Sequence, residues 1–132
     1  MIKKILIAED NPDCCELLVF LLRRMGYDAL GVQTGEDAIA HALSSHPDLI
    51  FMDLGLPGID GIAAAAAIKN NPETAGIPIV GLSARLELTW KARALHAGMT
   101  MYLTKPAAPH AIRRIIEQLT NADSADRGNR ST

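Results

Sequence analysis

Apolar residues are spaced along this chain in two alternating rhythms. Short, largely unbroken apolar runs occur at Ile5–Ala8, Ala29–Val32, Leu49–Met52, Ile77–Leu82 and Met101–Leu103. Such runs suit strands buried on both faces of a parallel sheet. Between them, apolar residues return at helical spacing over Asp13–Met25, Gly35–Leu43, Ile62–Ile68, Glu87–Ala97 and Pro109–Leu119. Placing the first of these helices at about 100° per residue puts Cys14, Leu17, Leu18, Leu21, Leu22 and Met25 on one broad face. Asp13, Glu16, Arg23 and Arg24 fall opposite, together with Phe20, an aromatic on the polar side. In the fourth helix Leu88, Ala92 and Leu95 face inward and Trp90 lies on the far side, and the last helix buries Ile112, Ile115, Ile116 and Leu119.

Punctuation supports these bounds. Asn11-Pro12 opens the first helix, since proline is tolerated in a first turn, and Gly26 ends it. Thr34 followed three residues later by Asp37 resembles a capping box. Ser44-Ser45-His46-Pro47, Asn70-Asn71-Pro72 and Gly98 stop the next three. Five strands alternating with five helices on short loops predict an α/β domain: a doubly wound parallel sheet with helices on both faces and right-handed crossovers. The domain spans residues 1–119, and the polar stretch 120–132, without apolar periodicity, is expected to be a disordered tail.

Composition narrows the class. At 132 residues, with 48% hydrophobic but only 4% aromatic residues, the chain predicts one domain with an aliphatic core. A formal charge of −2 and no basic run give no electrostatic footprint for nucleic acid. Cys14 and Cys15 are adjacent on a helix, where their side chains diverge, so no structural disulfide is expected. No apolar run reaches membrane-spanning length, and the N-terminal one is too short for a signal-peptide core. A reduced, cytoplasmic location follows as the expectation.

The candidate chemistry sits where the strands end. A buried strand should not run straight into a carboxylate, so Asp53 marks a strand terminus, and the Gly- and Pro-rich Leu54–Gly61 turns the chain into the next helix. Ligands of open α/β sheets bind at that edge. The other strands deliver Glu9 and Asp10, Ser83 and Lys105 to it. Three carboxylates together repel one another and call for a cation, and a hard divalent ion of the magnesium type suits them. A lysine and a hydroxyl opposite suit the oxygens of a phosphoryl group, so the constellation points to phosphate transfer.

Over about residues 3–119 the chain resembles the receiver domain of two-component response regulators, especially the stand-alone, chemotaxis-regulator type. The resemblance rests on Glu9-Asp10 after the first strand, Asp53 with Pro57 and Asp60-Gly61 beyond it, Ser83 after the fourth strand and Lys105-Pro106 after the fifth. It implies a flavodoxin-like strand order 2-1-3-4-5. It implies that Asp53 is the phosphoacceptor, served by a partner histidine kinase or histidine phosphotransfer protein. Asp10 would bind Mg²⁺ directly and Glu9 mainly through water, with Asp53 and the carbonyl of Gly55 completing the protein ligands. Ser83 and Lys105 would hold phosphoryl oxygens, and Tyr102 would change rotamer as Ser83 moves. The Lys105-Pro106 peptide would be cis. On this reading the chain is no enzyme beyond its own Mg²⁺-dependent phosphorylation and dephosphorylation.

Some positions depart from the commonest pattern of that family. Ser83 stands where Thr is more frequent, Gly55 lacks a side chain beside the phosphoryl group, and Arg85 sits two past Ser83. These border the water path to an acyl phosphate and bear on its lifetime. Val19 and Phe20 offer a docking patch for a kinase or phosphotransfer helix bundle, with an incidental apolar pair as the plain alternative. Trp90 with Tyr102 and the last helix offers an output face for a downstream protein. His41, His46, His96 and His110 lack ligand spacing and read as surface or cap residues. A receiver cut from a larger hybrid kinase or phosphorelay protein fits the same residues. An aspartyl-phosphate phosphohydrolase is disfavoured by Gly55 at the place of its second acid, and a flavin-binding domain by the lack of a Ser/Thr-rich phosphate loop.

Overall fold

The apolar runs pair side by side into one parallel sheet in the computed structural model, which describes residues 2–84 and 88–121, and the backbone alone for residues 88–90 and 121. Its strands are β1 (Lys4–Ala8), β2 (Asp28–Val32), β3 (Leu49–Asp53), β4 (Ile79–Ser83) and β5 (Met101–Thr104), and its helices α1 (Pro12–Arg24), α2 (Gly35–Ser45), α3 (Gly61–Asn70), α4 (Leu88–His96) and α5 (Pro109–Ile116). The strand order is β2-β1-β3-β4-β5. Ile5 sits between Ala29 and Leu49 in register, and Asp53 lies opposite Leu82. Every residue of β3 and β4 is buried, as expected for strands covered on both faces.

Alternate strand residues feed two cores. Ile5, Ile7, Phe51, Val80 and Leu82 meet Leu22 of α1 and Ile112, Ile115 and Ile116 of α5 on one face. Leu6, Ala8, Ile50, Met52 and Ile79 meet the small or branched residues of α2, α3 and α4 on the other. The helix ends match their sequence signals: Asn11 Oδ1 accepts the Cys14 N–H at 3.1 Å and Thr34 Oγ1 the Asp37 N–H at 3.0 Å. Both cysteines are free.

Two helix faces differ from the periodicity. In α1 half of the expected face holds, with Leu22 buried and Leu18 and Met25 packed against the first core, but Cys15 is buried in place of Cys14, which is exposed, and Leu17 is 57% exposed. The cause lies on β2: a Cβ at Gly31 would come within 2.5 Å of Cys15 Sγ and 3.1 Å of Val19 Cγ2, so the missing side chain draws that stripe of the helix onto the sheet. In α4 Ala94 is buried in the core with Ala65 and Ile68, while Ala92 faces solvent and Leu95 is 47% exposed. Close packing selected the smaller residue. The side chains of Leu88 and Trp90, together with Glu87 and Arg85, lie outside the described residues.

Smaller shifts have local causes. β4 begins at Ile79 rather than Ile77 because Pro78 has no N–H to pair, and the Ile77 N–H instead closes a turn on Thr74 O at 3.0 Å. α2 runs two residues past Leu43 and closes on His46, a left-handed cap at φ 46°. α5 passes into a π-helical turn over Glu117–Asn121. There Thr120 is buried and its hydroxyl donates to Ile116 O at 2.6 Å, so ordered structure extends beyond the boundary set at Leu119. Residues 122–132 lie outside the described residues. Among the described residues no helix is long and apolar enough to cross a membrane.

Ile50 is fully buried at the centre of the second core. Ile50→Ala is expected to lower unfolding free energy by about 2–5 kcal/mol, read from urea denaturation, because both transfer energy and packing are lost. A cost below about 1 kcal/mol would contradict this placement of the core.

Candidate functional site

Parallel pairing brings the carboxyl ends of β1, β3, β4 and β5 to one edge, and the polar residues that end those runs meet there. Glu9, directly after β1, is only 1% exposed, and Asp53 at the end of β3 is 7% exposed. Asp10 is exposed at the rim. Ligand oxygens of Glu9, Asp10 and Asp53 lie within 4.8 Å of one another. Lys105, just past β5, places its ammonium against Glu9 Oε1 and 3.0 Å from Asp53 Oδ2. Residues separated by 96 and 52 positions thus share one ion-pair network.

Backbone groups complete the cradle. The Gly55 N–H donates to Asp53 Oδ1 at 3.0 Å, and the Asn11 N–H to Glu9 Oε2 at 3.1 Å. Gly61 makes the tight turn possible: a Cβ there would stand 2.0 Å from Asp53 O, so the first turn of α3 can close behind the aspartate only with glycine. Asp60 caps that helix through Ala63 N–H at 2.8 Å. Ser83 is buried one step beyond Leu82, the register partner of Asp53, and its carbonyl accepts the Lys105 N–H at 2.8 Å. The Lys105-Pro106 peptide is cis, as expected.

Burial is the largest influence on all three charged groups, yet they end in different states. It raises the Glu9 carboxyl; Lys105 and the Asn11 N–H oppose it, Asp53 adds to it, and the net direction is upward. For Asp53 burial is outweighed by the Gly55 N–H, Lys105 and its hydrogen bond with Glu9, so its carboxyl stays below the usual range. Lys105 is raised, because Glu9 and Asp53 together exceed the penalty of burial. Asp53 is therefore kept ionised, the state a carboxylate nucleophile needs.

The donor set fits a hard divalent cation: three carboxylates of which one is exposed, balanced among the described residues by Lys105. Magnesium suits it, because that ion keeps several waters and uses few protein oxygens.

Of the remaining expected positions, Tyr102 is half-buried and pairs in register with Gly81, where an added Cβ would lie 3.7 Å from its ring. By strand alternation it shares a sheet face with Ser83. Phe20 is 57% exposed, with Arg24 stacked 5.8 Å from its ring centroid. His46, His96 and His110 are exposed and His41 half-buried. Periodicity missed an apolar groove of about 170 Å³ beside Glu9 and Lys105, lined by Cys14, Leu17, Leu21 and Pro106. It assigned those α1 residues to the core. Their own spacing of three and four, offset from Cys15 and Leu22, is the signal that marks a second stripe.

Three comparisons bear on this geometry. Residues 5–117 match the response regulator receiver domain. The chain is 34% identical over 103 residues to the protein PilG of Pseudomonas aeruginosa, covering 78% of this chain and 76% of PilG. It is 36% identical over 112 residues to the alkaline phosphatase synthesis transcriptional regulatory protein PhoP of Bacillus subtilis, covering 85% of this chain but 46% of PhoP, so it spans about half of that relative. Among solved structures it is similar to the receiver domain of a sensor histidine kinase from Pseudomonas aeruginosa, which holds a magnesium ion in its active site cleft. That likeness has a TM-score of 0.86 at 31% identity and covers 92% of this chain and 99% of that one.

Lys105 balances two buried acids, so removing it leaves them uncompensated. Lys105→Met is expected to cost about 1–3 kcal/mol in metal-free buffer, less than for a fully buried pair because the ammonium is partly solvated. Millimolar Mg²⁺ should restore much of the loss, as followed by urea midpoints with chelator or magnesium. Equal destabilisation in both buffers would speak against a cation site there.

Proposed function

The chain belongs to the response regulator receiver family, and on that premise we propose that Asp53 is its phosphoacceptor, with Ser83 and Lys105 holding the transferred group and Glu9, Asp10, Asp53 and the Gly55 carbonyl serving Mg²⁺. Receiver domains are signalling switches served by histidine kinases or phosphotransfer proteins. The observation that carries the reading is the meeting of Asp53, Glu9, Asp10 and Lys105 at one sheet edge.

The proposed transfer balances simply. An Asp53 carboxylate oxygen bonds to phosphorus, the P–N bond to the donor imidazole breaks, and its electron pair stays on nitrogen. Bound Mg²⁺ supplies charge neutralisation for the phosphoryl oxygens. Gly55 N–H and Lys105 hold the carboxylate ionised and aimed. The phosphoryl group brings roughly −1.5 to −2 charges at neutral pH, and Lys105 has only to turn from Asp53 towards one of its oxygens. Ser83 then moves in as a donor, and Tyr102, on the same sheet face, changes rotamer with it. The chain performs only its own phosphorylation and dephosphorylation in this reading.

Docking of the kinase or phosphotransfer protein falls to the outer face of α1, where Phe20 is 57% exposed while Val19 of the expected pair is half-buried against the core, and where Leu17, also 57% exposed, lines the groove beside Glu9 and Lys105. Large exposed apolar side chains are the usual anchors of such contacts. Output through Tyr102 and Trp90 to a downstream protein is the matching proposal, as is a receiver unit that closes with the turn over Glu117–Asn121, just past Leu119, before the polar stretch 122–132. A place within a hybrid kinase fits equally, given the similarity to a kinase receiver.

Beryllofluoride with Mg²⁺ is expected to stabilise the protein by about 2.7 kcal/mol at a hundredfold excess over its dissociation constant, seen as a rise in melting temperature. Asp53→Ala should abolish that response; an unchanged wild-type melt would sink the assignment. Phe20→Ala is expected to slow phosphorylation by a histidine donor protein while leaving the rate with a small acyl phosphate unchanged. Equal slowing with both donors would move the docking face elsewhere.

A further inference from the structure

We propose that Gly35, the first residue of α2, is a positioning residue for the loop that carries Gly55, an inference that rests on the reading of Asp53 and Gly55 given above. Gly35 is buried against the loop between β3 and α3. A Cβ there would lie 2.5 Å from Ile59 O, 3.4 Å from Ile59 C and 3.3 Å from Ala64 Cβ. The nearest of these is a backbone carbonyl, which cannot rotate away as a side chain would. The next residue continues the contact: the Glu36 carboxylate lies against Gly58, where an added Cβ would be 3.2 Å from Oε2.

The loop has few other supports. Its inner end is tied by Leu54 N–H to Leu82 O at 3.0 Å and by Gly61 N–H to Leu54 O at 3.1 Å, and its outer end by the Asp60 cap. Between them Gly55, Pro57, Gly58 and Ile59 are exposed, with only Leu56 buried. The first turn of α2 is thus the wall behind the outer arc. If Ile59 is pushed outward, the displacement passes to the exposed residues between the two ties. Those residues include Gly55, whose N–H holds Asp53 Oδ1 and whose carbonyl is assigned to the metal. A glycine on a helix that contributes no residue to the site therefore sets the position of a ligand within it.

Calorimetric titration of the full chain with magnesium chloride tests this. Gly35→Ala is expected to weaken Mg²⁺ affinity about tenfold, the usual cost of disturbing a group behind a metal ligand. Ala40→Gly, at an exposed position more than a turn further along α2, weakens the same helix without reaching the loop and should leave Mg²⁺ affinity unchanged. Affinity of Gly35→Ala within about twofold of wild type, or an equal loss in Ala40→Gly, overturns the inference. Should Gly35→Ala fail to fold, Glu36→Ala at its exposed position replaces it: weaker Mg²⁺ binding at an unchanged melting temperature supports the inference, and unchanged binding overturns it. A wild-type chain that binds no Mg²⁺ would instead overturn the reading of the site itself.

Discussion

Two acid side chains buried at the end of adjacent strands would drive each other apart or take up protons, and the ammonium of Lys105 is what allows Glu9 and Asp53 to remain side by side. The three groups come from β1, β3 and the segment after β5, so the pairing exists only when the sheet has formed in its full order. Among the described residues neutralisation is incomplete: one lysine faces two buried acids, with Asp10 a third at the rim. A site short of positive charge is one that a divalent cation can enter without displacing a satisfied partner. The arrangement also sorts the two buried acids. Glu9 is pushed upward and Asp53 downward, so Asp53 is the one of the two that keeps its negative charge.

Much of this was legible along the chain because strands buried on both faces carry an unmistakable pattern, and a polar residue ending each run had to lie at one edge. Glu9, Asp53, Ser83 and Lys105 follow from that argument alone. The faces of α1 and α4 followed only in part, with Leu18, Leu22 and Met25 on the core side as expected but Cys14, Leu17, Ala92 and Leu95 not, for a reason that periodicity cannot supply. A helix with apolar residues over half its circumference can dock in more than one rotation, and the choice falls to the surface opposite. Gly31 on β2 leaves a hollow that receives Cys15, and Ala94 brings α4 close to its neighbours where Leu95 would have held it off. The stripe left over on α1, Cys14, Leu17 and Leu21, then becomes a groove beside the site.

The same packing logic bears on switching. Ser83 and Tyr102 lie on one face of the sheet, and Gly81, two residues before Ser83 on β4, is the register partner of Tyr102 on β5. A Cβ at Gly81 would meet Met99 Sδ at 2.8 Å and Leu54 Cδ2 at 3.3 Å, so the ring can change place only together with its packed neighbours, which is how a two-state element in a dense interior behaves. Driving such an element from about 1:99 to 99:1 takes roughly 5.5 kcal/mol of differential stabilisation. A dianionic group placed among Lys105, Ser83 and a metal is a source of that size, whereas rearranging one surface ion pair is not.

The loop after Asp53 has to reconcile opposed demands. It must bring backbone groups to the carboxylate with little tolerance, yet stay open enough for a donor side chain to reach the same atom. Gly55 meets the second demand, since no side chain there covers Asp53, at the cost of a more permissive backbone. Rigidity must then come from outside the loop. Gly61 lets α3 close directly behind Asp53, and the first turn of α2 stands against Ile59. Both supports work by absence, a hydrogen where any other residue has a carbon, so neither registers as chemistry in a search for charged or nucleophilic groups. The accuracy of an acidic, metal-binding site can thus depend as much on where side chains are missing as on the carboxylates that define it.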